Sequence, residues 1–130
     1  MERQAVMGSP ESPVREISLE DLVDKRRRGE PFILVDVLEH EHYEHIRIPG
    51  SINVPLRDLR MLAPLLFGKE EQIIVYCTSP ECTASLTAAK ILMQLGHSKV
   101  LDFTGGLKEW VEAGQPVFHV KHPPSGEQAA

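Results

Sequence analysis

Two cysteines stand five positions apart in the stretch "YCTSPECTA" (76–84). Cys77 ends the apolar run "IIVYC" (73–77), and Cys82 precedes a long segment of periodic apolar residues. A cysteine thiolate is a nucleophile and a redox partner, so this spacing indicates thiol chemistry. A free cysteine is also a common buried core residue, and the pattern alone leaves both interpretations of Cys77 open.

The elements around Cys77 favour the chemical interpretation. "IIVYC" predicts a central strand, and a helix is predicted to begin near Thr83 or Ala84 and to end at Gly96. The free N–H groups and the dipole of such a helix start point back toward the strand end. We therefore expect the pKa of Cys77 to be lowered, and we expect Cys77 to react with alkylating agents before Cys82.

Strands and helices are predicted to alternate along the rest of the chain. The other predicted strands are "REI" (15–17), "FILVDV" (32–37), "SINVP" (51–55) and "KVLDF" (99–103). The other predicted helices are one capped by Ser18 and ended by Gly29, a polar turn at 38–45, one from Leu56 that Pro64 bends or interrupts, and one from Gly105-Gly106 through Trp110. This order predicts an α/β fold with a mostly parallel central sheet of about five strands and helices on both faces.

Composition narrows the classes of partner. A net charge of -5 argues against nucleic-acid binding, and the basic run 25–28 is interpreted as a solvated helix end. Two cysteines are too few for a disulfide scaffold, and the apolar runs are too short to span a membrane. We expect a cytoplasmic chain with no nucleic-acid or membrane partner. It would comprise a flexible lead-in (1–14), one domain (15–120) and a flexible tail (121–130).

Three stretches resemble, in order, the rhodanese homology domain of single-domain sulfurtransferases. They are "LVDVLEHEHYEHIRIPGSINVP" (34–55), "IIVYCTSPECTASLTAAKILMQLGHSKV" (73–100) and "LDFTGGLKEWVEAGQPV" (101–117). The second stretch is similar to the strand, active loop and helix of the family, with Cys77 at the position of the catalytic cysteine. The resemblance covers about Arg15 to Val117, nearly all of the predicted domain.

The resemblance implies a sulfurtransferase or persulfide carrier. Cys77 would take sulfane sulfur from a small donor or a persulfidated protein, hold it as a persulfide and pass it to a thiol acceptor. The backbone N–H groups of the substrate-binding loop would cradle that sulfur, without a cofactor or metal. The loop residues are Thr78, Ser79, Pro80, Glu81, Cys82 and Thr83.

Several positions depart from the family pattern. Cys82 stands where many members have arginine, so it is either a resolving thiol for Cys77 or a core residue. Without that arginine, and with Glu81 in the loop, a dianionic donor such as thiosulfate should bind poorly. Asp36 is expected to be a structural acceptor for loop N–H groups, and Arg47 is a possible anion support.

Three other kinds of function would use the cysteines and histidines of this chain. One alternative is a catalytically weak interaction domain, or a thiol redox sensor that uses Cys77 and Cys82. A related phosphatase would need a seven-residue loop ending in arginine, which this loop lacks. A zinc site would lack the usual paired ligand spacing. Its candidate ligands would be the two cysteines with some of His40, His42, His45, His97, His119 and His122.

Overall fold

A computed structural model of the chain describes residues 13–120. Most of the predicted lead-in and all of the predicted tail lie outside the described residues. The helices are α1 (Leu19–Arg27), α2 (His40–His45), α3 (Leu56–Leu66), α4 (Ala84–Gln94) and α5 (Gly106–Glu112). The strands are β1 (Ile33–Asp36), β2 (Ile46–Arg47), β3 (Ile52–Asn53), β4 (Gln72–Tyr76), β5 (Lys99–Phe103) and β6 (Phe118–His119).

The central sheet is parallel and has the strand order β3-β1-β4-β5. This confirms the predicted α/β class, with four strands in the sheet. The predicted strand "REI" contributes an isolated bridge, Glu16 to Asp102, beside β5. It extends no further because Ser18 caps α1 immediately afterwards, accepting a hydrogen bond from the Asp21 N–H at 3.0 Å.

Each face of the sheet buries a separate apolar cluster. Residues of α3 and α4 pack on one face, against alternate residues of β1, β4 and β5 that include Val35, Val75 and Cys77. Residues of α1 and α5 pack on the other face, where Trp110 and Tyr76 are buried. Alternation along β4 therefore sends Cys77 toward α4 and Tyr76 toward α5.

The helix ends follow the sequence signals, with one difference. Gly29 has a φ of 72°, the left-handed conformation that glycine adopts just past a helix C-terminus. The helix α3 continues past Pro64 to Leu66, so the proline does not interrupt it.

Among the described helices, none is long and apolar enough to cross a membrane.

A second, antiparallel pairing joins β2 to β6, with Ile46 opposite His119 and Arg47 opposite Phe118. The Arg47 guanidinium lies 3.9 Å from the Phe118 ring centre and 4.6 Å from that of Tyr43. It also donates a hydrogen bond to the Tyr43 carbonyl at 3.2 Å. This ribbon ties the end of the domain to the segment after α2.

The start of α5 lies directly against the backbone that follows β4. The N–H groups of Leu107 and Lys108 donate to the carbonyl oxygens of Cys77 and Thr78, at 3.0 and 2.7 Å. Gly106 makes this approach possible, because its φ is 64° and a Cβ there would lie 2.6 Å from the Cys77 carbonyl oxygen. Glycine is thus required both by conformation and by space.

Gly106→Ala should destabilise the fold by clearly more than Gly114→Ala. Both glycines have positive φ, 64° and 77°, but a Cβ at Gly114 would meet nothing within 4 Å. The control variant should therefore lose about 1–2 kcal/mol from backbone conformation alone. Gly106→Ala should lose that amount and at least about 1–2 kcal/mol more, because backbone atoms must shift. Equal losses in urea unfolding would contradict the close approach.

Candidate active site

Cys77 lies at the carboxyl end of β4, in the middle of the parallel sheet. Ligand sites of open α/β sheets lie at this edge, where strands lead into helix N-termini. The following helix begins at Ala84, as predicted. The Cys77 side chain is 1% exposed, so any partner of its sulfur must come from the loop or from a small ligand that enters it.

Two oxygen atoms surround the Cys77 thiol. Its sulfur lies 3.4 Å from the backbone carbonyl oxygen of Cys82 and 3.5 Å from the hydroxyl oxygen of Ser85. The backbone N–H of Ser85, in the first turn of α4, also reaches this sulfur. A thiol can donate to the oxygens and a thiolate can accept from the Ser85 groups, so the pocket accommodates both protonation states.

A tight turn folds the loop back toward Cys77. The Cys82 N–H donates to the Ser79 carbonyl oxygen at 3.0 Å, which closes a turn over Pro80 and Glu81. Proline favours this turn because its fixed φ suits the second position. Pro80 and Glu81 at the tip are exposed, whereas Cys82 is returned to the interior.

Cys82 is half-buried and is brought to the first thiol. It packs against the apolar cluster under α4, which includes Cys77, and its backbone carbonyl oxygen lies 3.4 Å from the Cys77 sulfur. The core interpretation of Cys82 fits this packing, and its role as a resolving thiol stays a prediction.

The pKa values of the two thiols are shifted in opposite directions. Burial raises the pKa of Cys77, and the hydrogen bond that its thiol donates to Cys82 adds to the rise. Partial burial alone would raise the pKa of Cys82, but the hydrogen bonds from Cys77, Ala84 and Thr78 outweigh it and lower the pKa. The prediction of a lowered pKa for Cys77 is wrong, because burial of its side chain outweighs the effect of the Ser85 hydroxyl and N–H at the start of α4.

The N–H groups near sulfur come from both ends of the loop. Within the predicted cradle 78–83, the Thr78 N–H helps to lower the pKa of Cys82, and the Cys82 N–H is used in the turn. The Ala84 and Ser85 N–H groups belong to α4. A persulfide cradle formed by residues 78–83 remains a prediction, and the thiols already contact the helix start.

Asp102 was not predicted from the sequence to be a site residue. Asp102 lies on β5 opposite Val75, is 1% exposed, and has no hydrogen-bond partner among the described residues for either side-chain oxygen. Burial raises its pKa, and the nearby Ser85 hydroxyl opposes the rise. Ser85 thus lies between the Cys77 thiol and a buried carboxyl group. The available sequence signal was an acid within the apolar strand "KVLDF".

Asp36 and Arg47 occupy different surroundings. One side-chain oxygen of Asp36 accepts the Leu38 N–H at 2.9 Å, and its role as a structural acceptor for loop N–H groups stays a prediction. Burial raises the pKa of this carboxyl group, whose second oxygen has no partner among residues 13–120. Arg47 is engaged with Tyr43 and Phe118 in the ribbon, so its role in anion binding stays a prediction.

An open cleft of about 340 Å³ adjoins the loop at Thr78. Its apolar wall is formed by Ile46, Leu107 and Val111. Lys108 and Glu112, which form an ion pair at 2.9 Å, stand beside it. This lining suits a small or flexible ligand with an apolar part.

Within the described chain, no group of three or more histidine, cysteine or acidic residues is arranged to hold a metal ion. The zinc alternative therefore gains no support from the described histidines, and His122 lies outside the described residues. His40 instead pairs with Glu44 on α2, and His97 is buried beside Phe67.

Cys82 should react with iodoacetamide before Cys77 at pH 7. It is the more exposed thiol, and its pKa is lowered while that of Cys77 is raised. Limited alkylation followed by peptide mapping measures the order. The Cys82→Ser variant should leave Cys77 slowly reactive, since burial persists. Faster labelling of Cys77 in the intact chain would contradict the assigned pKa directions.

Asp102→Asn should gain stability relative to the natural chain between pH 4 and pH 7. An unfolded aspartate ionises near a pKa of about 3.9, whereas burial raises the pKa in the folded chain. The penalty for ionising Asp102 is therefore absent below about pH 4 and grows as the pH rises toward the folded pKa. Urea midpoints of both proteins at the two pH values test this. A constant difference between them would contradict it.

Comparisons with known proteins bear on the family and the fold. A family model described as Rhodanese-like domain matches residues 18–113. A Saccharomyces cerevisiae thiosulfate:glutathione sulfurtransferase is 32% identical over 79% of this chain and 82% of its own length. An HTH-type transcriptional regulator of Mycobacterium tuberculosis is 37% identical over 86% of the chain.

The chain spans 47% of that regulator, 25% of an Ogataea parapolymorpha adenylyltransferase and sulfurtransferase, and 52% of a Bacillus subtilis putative sulfur carrier protein. In fold it is similar to a rhodanese-like domain from Anabaena, with a TM-score of 0.76, 24% identity and 91% coverage of each chain. The match of the family model over most of the described residues decides the family. The chain belongs to the rhodanese-like domain family, in which several relatives are named sulfurtransferases.

Proposed function

We propose that this chain is a sulfurtransferase that carries sulfane sulfur as a persulfide on Cys77. The observation that carries the proposal is the position of the Cys77 sulfur. It lies at the carboxyl end of β4, against the N–H and hydroxyl of Ser85 in the first turn of α4. A thiolate formed there is stabilised by these donors and by the helix dipole.

The Cys82 sulfur supplies a base for the first step. The pKa of Cys82 is lowered, so its thiolate is present at a pH at which Cys77 is still protonated, and this thiolate can take the Cys77 proton as a donor enters. Because Cys77 has the raised pKa, this proton transfer is uphill, and the attack on the donor that follows draws it forward. The Cys77 thiolate then attacks the outer sulfur of a thiol persulfide. The sulfur–sulfur bond of the donor breaks, the donor leaves as a thiolate, and Cys77 holds the new persulfide.

In the second step an acceptor thiolate attacks the outer sulfur of that persulfide. Cys77 is the leaving group and returns to its thiolate, so neither step requires an outside oxidant or reductant. The small exposed fraction of Cys77, 1%, favours donors and acceptors that present sulfur on a narrow stem.

The charges near the loop favour uncharged or singly charged donors over thiosulfate. Glu81 is exposed at the turn, and position 82 carries a thiol where many relatives have arginine. Lys108 interacts electrostatically with Glu81, but its ammonium group donates a hydrogen bond to the Glu112 carboxylate. A small thiol persulfide or a persulfidated protein is thus the proposed class of donor, and a thiol is the proposed acceptor.

Cys77→Ser should reduce sulfur transfer from a small thiol persulfide to a second thiol to the rate without protein. A serine hydroxyl cannot form a persulfide, and its similar size should preserve the fold. Cys82→Ser is the matched control. It removes the base but keeps the nucleophile, so it should retain at least about a tenth of the transfer rate, within the range of general-base effects. Transfer by Cys77→Ser at the natural rate would contradict the proposal.

A further inference from the structure

The Cys77 sulfur has a second thiol as its neighbour and little access to solvent. Cys77 is 1% exposed, its sulfur lies 3.4 Å from the Cys82 carbonyl oxygen, and the Cys82 side chain packs against the apolar cluster that contains Cys77. A sulfur atom bound to Cys77 would therefore be placed beside Cys82. An external acceptor would have to enter a pocket that Cys82 already occupies.

The loop fixes Cys82 in that position. The turn closed by the Cys82 N–H and the Ser79 carbonyl returns the chain to the interior, and the side chain then packs against the apolar cluster under α4. Two reacting groups held in contact react far faster than the same groups free in solution. The internal thiol thus has an advantage over a dilute external one.

The surroundings of Cys82 favour its thiolate, which is the form that attacks a persulfide. Partial burial would raise the pKa of Cys82, but the Cys77 thiol, the N–H groups of Ala84 and Thr78 and the Thr78 side chain lower it. These donors stabilise a thiolate, which is the reactive species in thiol–disulfide exchange. Neither thiol is part of a disulfide in this structure, so both are available for the reaction.

We infer that Cys82 is an internal acceptor that resolves the Cys77 persulfide and releases sulfide. This inference rests on the proposed function and adds a second activity to it, the reduction of sulfane sulfur. The Cys82 thiolate attacks the inner sulfur of the Cys77 persulfide, the sulfur–sulfur bond breaks, and hydrosulfide leaves. A Cys77–Cys82 disulfide remains in the chain.

The step balances without an outside co-reactant. The sulfane sulfur is reduced to sulfide by two electrons, and the two cysteine sulfurs are each oxidised by one electron to form the disulfide. A small dithiol such as dithiothreitol then restores both thiols. The chain would thus couple the oxidation of a dithiol to the release of sulfide from a persulfide.

The test uses the full reduced chain and one equivalent of glutathione persulfide, followed by rapid desalting. The natural chain should release close to one equivalent of sulfide and become about 2 Da lighter than the reduced chain, the mass of two hydrogens lost on disulfide formation. Dithiothreitol should reverse the mass change. Cys82→Ser should release no sulfide above background and should stay about 32 Da heavier, the mass of one held sulfur. Cys77→Ser with the same donor supplies the background for sulfide released by the donor itself.

Each failure has a different meaning. If the natural chain keeps the added sulfur and releases no sulfide, as Cys82→Ser does, the internal acceptor is overturned and the persulfide carrier survives. Movement of the sulfur to Cys82 as a persulfide overturns the internal acceptor in the same way. If Cys82→Ser gains no sulfur, the proposed function itself fails.

Discussion

The contact between the first turn of α5 and the backbone after β4 is the constraint on which the site depends. Two N–H groups of α5 hold the carbonyl oxygens of Cys77 and Thr78, and Gly106 permits this approach. With the carbonyls held on that side, the chain leaves β4 in a fixed direction, and the Cys77 side chain lies on the α4 face of the sheet. The double glycine near the end of the domain thus orients a thiol that is distant from it in sequence.

The layer beneath α4 contains polar groups that a purely apolar core would exclude. Ser85 and Asp102 are buried there, Ser85 beside Cys77, and neither Asp102 oxygen has a partner among the described residues. An unpaired buried carboxyl group costs stability, and such violations of packing rules are expected at functional sites. The Ser85 hydroxyl lies between the carboxyl and the thiol, so Asp102 is well placed to influence the charge of the pocket.

Much of this arrangement could be predicted from the sequence, because it depends on local signals. The apolar run before Cys77, the periodic segment from Ala84 and the cap at Ser18 each specify an element within a few residues. The pKa order of the two thiols could not be predicted, since it depends on which sulfur the Thr78 and Ala84 N–H groups face after the loop turns back. The β2–β6 ribbon was also missed, because two-residue strands distant in sequence carry little periodicity.

The central claim is that the two thiols have different roles. Cys82 has the lowered pKa, yet Cys77 first receives the sulfur. The most direct measurement mixes the natural chain with a small thiol persulfide, traps it with iodoacetamide at successive short times, and maps the peptides. The account predicts that the alkylated persulfide appears at Cys77 at the earliest time, with Cys82 alkylated as an ordinary thiol. An alkylated persulfide that appears first at Cys82 would contradict it.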